Sequence, residues 1–474
     1  MMGPRKGDGL MIEQIKKLTL DKVVFFLLCT LMVDCCIFGA GRTISFGPIG
    51  FRMALAGILL ILTIPLLCTK VRSLLSNKFL WMLAAFVLWL IIQTVVGLVR
   101  GNRMSLIASD LKGFAYFALV FPAVCVLTEK KRIHILMKAM MYASTVLGIA
   151  GILILCIHNW DISAFYSFYH FDSQFNIAIF ASINSKLLRV FFKSSNYLLC
   201  GCAFPLYFVL AEKNRQIPWK YPLIIGLSLF VLLLSYTRSI YLAMALAAGM
   251  AIILCLCFTW KKNTIKLLKL LAISVSLFVV LIACFNLIFD YNYLDYAFER
   301  LGVTFAESET DTVIPNAGGS PDLDKDDCTY KEEYQQATIL SDNLRKDTMN
   351  ELLEQISSSP IAGHGLGKGI AVRASGYNEY FYLDLMLKTG VIGLILFLMP
   401  FAFVGFYLLK RSKMTMDSWF LTGIWMSVLV GFMAFSFFNP YMNASLGISY
   451  YCCTIGVFCC AINNSSEKES SSLV

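Results

Sequence analysis

Four charged side chains stand out in a largely apolar sequence of 474 residues: Arg238, Arg300, Arg345 and Glu379. Arg238 sits in Ser235-Tyr236-Thr237-Arg238-Ser239, a turn that joins two strongly apolar runs with almost no loop. A guanidinium at a membrane face either snorkels to water or needs an anionic partner, and a ligand can be that partner. Arg345 precedes Met349, Leu352, Leu353 and Ile356, which recur at helical spacing, so it lies one turn earlier on the same face. Glu379 stands where a long polar segment meets an apolar run, beside Tyr377, Asn378 and Tyr380. A carboxylate there is stabilised by the macrodipole of the helix that follows, by about 0.3–1 kcal/mol. The same carboxylate, within reach of a hydroxyl proton, can serve as a general base.

Other chemistries fail on their spacing. Ala362-Gly-His-Gly-Leu-Gly-Lys-Gly369 imitates a phosphate loop, but Ala362 stands where the first glycine belongs and Gly369 where Ser or Thr is required. A glycine-rich turn with close backbone approach is the expectation. Asp322, Asp324, Asp326 and Glu333 fall at positions 1, 3, 5 and 12 of a calcium loop, yet Asp327 replaces its glycine, so the stretch reads as a solvated acidic loop. The four histidines, at 134, 158, 170 and 364, offer no zinc spacing. No dinucleotide fingerprint and no nucleophile elbow is present, and no cofactor is expected. The 16 cysteines lie almost wholly in apolar runs, where they act as small apolar fillers.

The elements that must position these residues are membrane helices. Apolar residues make up 58% and charged residues 15%, which excludes a disordered chain, a coiled coil and a disulfide scaffold. Twelve apolar runs lie near 23–41, 50–68, 79–99, 113–128, 139–157, 195–211, 221–236, 239–259, 267–289, 384–409, 418–437 and 444–462. The expected fold is an all-α polytopic membrane protein of about twelve transmembrane helices, with one large extracytoplasmic loop carrying an amphipathic helix. The expected divisions are a cytoplasmic segment 1–22, spans one to nine over 23–289, the loop 290–379, spans ten to twelve over 380–462, and a cytoplasmic tail 463–474.

Charge placement supplies the orientation. The net charge of +10 divides into −10 over residues 290–379 (17 acidic, 7 basic) and +20 elsewhere. Lys130-Lys131-Arg132, Lys261-Lys262 and Lys410-Arg411 fall in loops of one side, which puts both termini in the cytoplasm and the acidic loop outside. A basic total of this kind reports topology, and nucleic acid is not an expected partner. The loop's first part, 307–327, reads as flexible; its second part reads as a helix capped by Ser341 and stopped at Ser357-Ser-Ser-Pro360. The aromatic-rich stretch 159–193 suits the headgroup layer. Inside the spans Asp34, Gln93 and Asp110 are the few polar candidates, and Asp34 is expected to pair with Arg42 or Arg52.

Taken in order, several segments form a pattern: Phe192-Lys-Ser-Ser-Asn196-Tyr-Leu, Thr237-Arg238-Ser239, a long outer loop with Arg300 and Arg345, Ser359-Pro360-Ile-Ala-Gly363-His-Gly365-Leu-Gly367, Tyr380-Phe-Tyr382-Leu383 and Lys388-Thr-Gly390-Val-Ile-Gly393. This pattern resembles the O-antigen ligase and O-antigen polymerase (Wzy-type) superfamily. The resemblance implies a metal-independent glycosyltransferase of the bacterial inner membrane, using a polyprenyl-diphosphate-linked glycan on the outer face. It implies that Arg238, Arg300 and Arg345 hold the diphosphate and that Glu379, with Arg238, is catalytic. It implies membrane lipid, a flippase and a chain-length regulator as partners. Ligases of the group commonly carry His-Asn where this chain has Glu379-Tyr380, so the expectation is a polymerase of oligosaccharide repeat units. The alternatives are ligase-type transfer to another acceptor, and a flippase or transporter.

Overall fold

The structure is a computed structural model. It describes residues 6–39, 45–46, 49–175, 177–182, 187–211, 216–259, 264–302, 327–373, 378–410 and 414–471. Helices account for 83% of the described residues. The first half runs α1 (Lys6–Phe38), a small hairpin β1 (Ser45–Phe46) and β2 (Ile49–Gly50), α2 (Phe51–Leu75), α3 (Lys78–Val99), α4 (Met104–Phe114), α5 (Val120–Val126) and α6 (Lys130–Trp160). Next come α7 (Ile162–Phe175), the hairpin β3 (Ala178–Ser182) and β4 (Leu188–Phe192), α8 (Leu198–Ala211), α9 (Lys220–Leu234), α10 (Arg238–Thr259) and α11 (Thr264–Phe289). The chain closes with α12 (Tyr293–Gly302), α13 (Asp327–Ser358), α14 (Phe381–Lys410), α15 (Met416–Phe435) and α16 (Ser445–Ser471).

Each of the twelve apolar runs falls on helix, and the chain is an all-α polytopic membrane protein apart from its two hairpins. Among the described residues, nine helices are long and apolar enough to cross a bilayer, against the twelve expected. The runs at 195–211 and 221–236 lie on shorter helices, Ser195–Ala211 and Lys220–Leu234. Fifteen residues of helix reach only about 22 Å, short of a hydrocarbon core of about 30 Å. Both are packed almost wholly inside the bundle, where their length need not match the bilayer. The outward faces carry exposed apolar side chains such as Ile61, Trp81 and Val280, as a surface facing acyl chains requires.

The connections collect at two ends. At one end Arg52 grips Asp34 at 2.7 Å and also donates to Ser445, so of the two expected partners Arg52 is used; Arg42 lies outside the described residues. The same end holds the turn after α3, the β3–β4 hairpin, the turn before α10, α13 and the loop before α16, whose Asn439 donates to Ser239 of α10 at 2.9 Å. The opposite end holds the basic loops, with Arg132 on Asp21 at 2.5 Å and Lys130 on Asp417 at 2.6 Å.

Two loop expectations are modified, and a third falls outside the described residues. Helix α13 begins at Asp327, not Ser341, because no glycine or proline interrupts 327–358 and the added turns are rich in Lys, Glu, Gln and Ala. It ends at Ser358, before Pro360. Its packed stripe is Thr348, Leu352 and Ile356, set against Leu387 and Ile370, while Met349 and Leu353 stay exposed. The aromatic stretch divides: Phe165 and Phe168 close on Phe180 of β3 at 5.9 and 5.7 Å, and Trp160 remains 71% exposed. The acidic stretch 307–326, with the calcium-like spacing, lies outside the described residues.

Candidate functional site

The turn between α9 and α10 is built for close approach. Tyr236 takes φ 43°, a left-handed conformation that is uncommon for a bulky residue and costs about 1–3 kcal/mol. Its ring is fully buried and its hydroxyl donates to the Tyr293 carbonyl at 3.3 Å. Thr237 then accepts the first amides of α10, so Arg238 opens that helix. Arg238 Nη1 reaches Asp342 Oδ2 of α13 at 3.4 Å. One turn along α13, Arg345 contacts Asp342 Oδ1 at 3.3 Å through Nη1 and Glu379 Oε2 at 2.7 Å through Nε. The other oxygen of Glu379 accepts from Arg373 Nη2 at 2.8 Å.

The result is a row of alternating charge, Arg238–Asp342–Arg345–Glu379–Arg373, with three cations and two anions. The five side chains are 23–43% exposed, open enough to meet a ligand. Burial alone would lower the pKa of Arg345, but the hydrogen bond and charge of Glu379, with Asp342, raise it above its ordinary value. Burial pushes the neighbouring Tyr380 phenol up, and that phenol donates to the Arg345 carbonyl at 3.4 Å. Guanidinium forks of this kind bind carboxylates and phosphates by the same two-pronged geometry. A phosphate group arriving here would compete with carboxylates already standing in its place.

Sequence reasoning named three members of this row, Arg238, Arg345 and Glu379, and the fold brings them together. Arg300 lies on α12, but its side chain is outside the described residues. Asp342 and Arg373 were missed. Asp342 carried a signal, since a carboxylate three residues before an arginine shares its helix face. Arg373 carried none, because it lies in irregular chain whose path follows no period.

Residues 223–398 match the family model described as O-antigen ligase. All five residues of the row fall inside that stretch. No curated protein matches the chain. The match bears out the resemblance to the O-antigen ligase and polymerase superfamily and points to glycan transfer in polysaccharide biosynthesis. The O-antigen ligase family implies a lipid-linked glycan substrate and a membrane setting, in accord with the apolar helices.

Within the matched stretch, the glycine run and the start of α14 form a second construction beside the row. The expected close backbone approach is present. Gly363, Gly365 and Gly367 all have positive φ, and a Cβ on Gly365 would collide with the Gly97 backbone of α3. Gly390 breaks α14 at φ 67°, ψ −176°, and a Cβ there would strike the Ile361 carbonyl. The loop is pinned from outside the stretch: Gln93 donates to the Ala362 carbonyl at 2.8 Å, and Arg100 lies 3.1 Å from His364 Nδ1. Gly390→Ala is therefore expected to destabilise the protein by about 3 kcal/mol or more, read as a lowered thermal midpoint in detergent.

Beneath the loop, Lys388 Nζ joins Asp384 and Asp110, each at 2.8 Å, with Lys388 and Asp384 almost fully buried. Asp110 also accepts from the Gly367 amide at 2.8 Å, and Asp384 accepts from Asn378, the residue before Glu379, at 2.5 Å. Of this trio sequence reasoning named Asp110 as a polar candidate and missed the Asp384–Lys388 pair, although its i,i+4 spacing within an apolar run carried a signal. Breaking a buried ion pair from one side costs about 3–5 kcal/mol. Lys388→Met is expected to abolish accumulation of folded protein. The triple change Lys388→Met, Asp384→Asn, Asp110→Asn should recover it in part, measured by fluorescence-detected size exclusion.

Proposed function

We propose that the protein polymerises polyprenyl-diphosphate-linked oligosaccharide repeat units into a surface polysaccharide on the outer face of the cytoplasmic membrane. The observation that carries this reading is the meeting of Arg238, Arg345 and Arg373 around Glu379 and Asp342 at one end of a membrane bundle. In the proposed reaction the donor diphosphate takes over guanidinium contacts now held by Asp342 and Glu379. The released Glu379 carboxylate accepts the proton of an acceptor sugar hydroxyl. The hydroxyl oxygen forms a bond to the anomeric carbon as the bond from that carbon to the phosphate oxygen breaks. The electron pair leaves on the diphosphate, whose growing charge the arginines stabilise. Arg300, on α12, is a further proposed contact for the diphosphate, and the guanidinium groups fill the role a metal would otherwise take. A flippase that delivers repeat units and a chain-length regulator are the proposed protein partners.

Glu379, where ligases of the group commonly carry histidine, favours polymerisation. Ligase-type transfer is the second reading, favoured by the description of the matched family. Deleting the gene and resolving the cell's glycans on a gel separates them. Loss of all chains beyond one repeat supports the polymerase; lipid-linked polymer missing from its final anchor supports the ligase. Unaffected polymer with intermediates trapped on the cytoplasmic side contradicts both and indicates a flippase.

The site end must face outward for this chemistry. A reporter fused after Asp324 is expected to read extracytoplasmic, and one after Lys262 cytoplasmic. The same side for both would overturn the orientation.

A further inference from the structure

Arg189 is the second residue of β4, a hairpin strand whose other side chains, Leu188, Val190, Phe191 and Phe192, are buried. Its guanidinium turns to the turn before α10. Nε donates to the Ser235 carbonyl at 3.0 Å and Nη2 donates to Thr237 Oγ1 at 3.0 Å. Thr237 Oγ1 in turn donates to the same Ser235 carbonyl at 2.9 Å. The three groups close a ring around Tyr236, the residue in the left-handed conformation, and the ring ends at the peptide that leads into Arg238. Among the described residues no carboxylate pairs with Arg189, so its fork is committed to neutral acceptors of this turn. A cation placed this way does not serve as an ion-pair partner; it spans residues 235 and 237 and holds the chain between them.

We propose that Arg189 is a positioning residue that clasps the 235–237 turn and so aims Arg238 at the diphosphate of the lipid-linked donor. The inference rests on the reading of Arg238 as a diphosphate contact and adds the element that sets its direction. The physical reason for arginine is geometric. A planar fork bridges two acceptors two residues apart, whereas the lysine ammonium is a single point charge on a flexible stem. The hairpin supplies a rigid base, since its β4 side chains are packed into the bundle. A turn with a left-handed aromatic relaxes unless the surrounding structure holds it. Released, it would let Arg238 swing away without unfolding α10, whose first amides are still capped by the Thr237 carbonyl.

The test uses the full chain in lipid nanodiscs and a polyprenyl diphosphate as the binding probe. Arg189→Ala, Arg189→Lys, Arg238→Ala and the double variant Arg189→Ala/Arg238→Ala are compared with the unaltered protein. Thermal unfolding is followed alongside, because a merely structural role would move it and positioning would not. Arg189→Ala and Arg189→Lys are both expected to bind roughly tenfold or more weakly at an unchanged unfolding temperature. The double variant should bind like Arg238→Ala within about twofold, since a residue acting through Arg238 has nothing left to act on. If Arg189→Ala does not fold, Arg189→Lys, which keeps the charge, decides alone. Normal binding by the folded Arg189 variants overturns the positioning role and leaves Arg238 in place. Additive losses in the double variant also overturn it, in favour of a separate contact. Normal binding by Arg238→Ala overturns the diphosphate reading itself, and the positioning role with it.

Discussion

Glu379→Gln is expected to slow polymer formation at least about a hundredfold, the low end of what general-base catalysis contributes, in protein that inserts and folds normally. The expectation follows from the two bonds of the carboxylate. Arg345 Nε and Arg373 Nη2 each hold one oxygen, at 2.7 and 2.8 Å, which stations the group at the mouth of α14 until the diphosphate takes those contacts and frees it as a base. Gln keeps the size and one acceptor but has no lone pair basic enough to take a proton, and it turns an amide N–H toward a guanidinium. A carboxylate that served only the helix macrodipole would contribute about 0.3–1 kcal/mol to stability, and its loss would leave polymer near normal. Single-turnover rates and donor affinity, measured together, separate the two. Loss of turnover with donor affinity held within about tenfold marks a base. Loss of affinity alone would mark a holder of arginines. Glu379→Asp should retain part of the activity, because the base survives with a shorter reach. Full polymer from well-expressed Glu379→Gln would remove the residue from the mechanism.

Arg238→Lys is expected to lose about 10²–10³ in turnover although its charge is kept, the range seen when one preorganised donor to a developing anion is removed. Arg238 lies at the first position of α10, held by a turn in which Tyr236 is left-handed and fully buried. Its ion pair with Asp342 is long at 3.4 Å, so a phosphate oxygen can replace it at small cost. Lysine at this place offers a point charge and cannot make the two-pronged contact. The measurement is chain-length distribution on a gel beside the turnover of purified protein. Full-length polymer from both Arg238→Lys and Arg238→Ala, normally inserted, would show that the diphosphate is held elsewhere.

Much of this architecture is written in one-dimensional periodicity, and what is not follows a different logic. The twelve apolar runs report helices because a backbone in lipid must satisfy its own hydrogen bonds. They do not report how deep each helix sits, so the short buried α8 and α9 look like ordinary spans. Arg238, Arg345 and Glu379 were legible because each interrupts an apolar pattern at its edge. Glycines 363, 365 and 367 were legible as a close approach because their spacing admits little else. Arg373 and Arg189 were not, since each meets its partner through irregular chain or across a hairpin, where sequence distance carries no geometry. The extent of α13 was misjudged for a simpler reason: a serine with an apolar stripe behind it resembles a cap, and here the helix continues upstream through residues of high propensity.

The central claim, glycan chain growth from a lipid-linked donor, is tested most directly by reconstitution. Purified protein in liposomes is given a polyprenyl-diphosphate-linked repeat unit and nothing else, and the products are resolved by length. The account predicts lipid-linked products of two, three and more repeats, with polyprenyl diphosphate released in proportion to the bonds formed. Unchanged single repeats, with product formed only after a separate acceptor is added, would contradict it and assign the chain to ligase-type transfer.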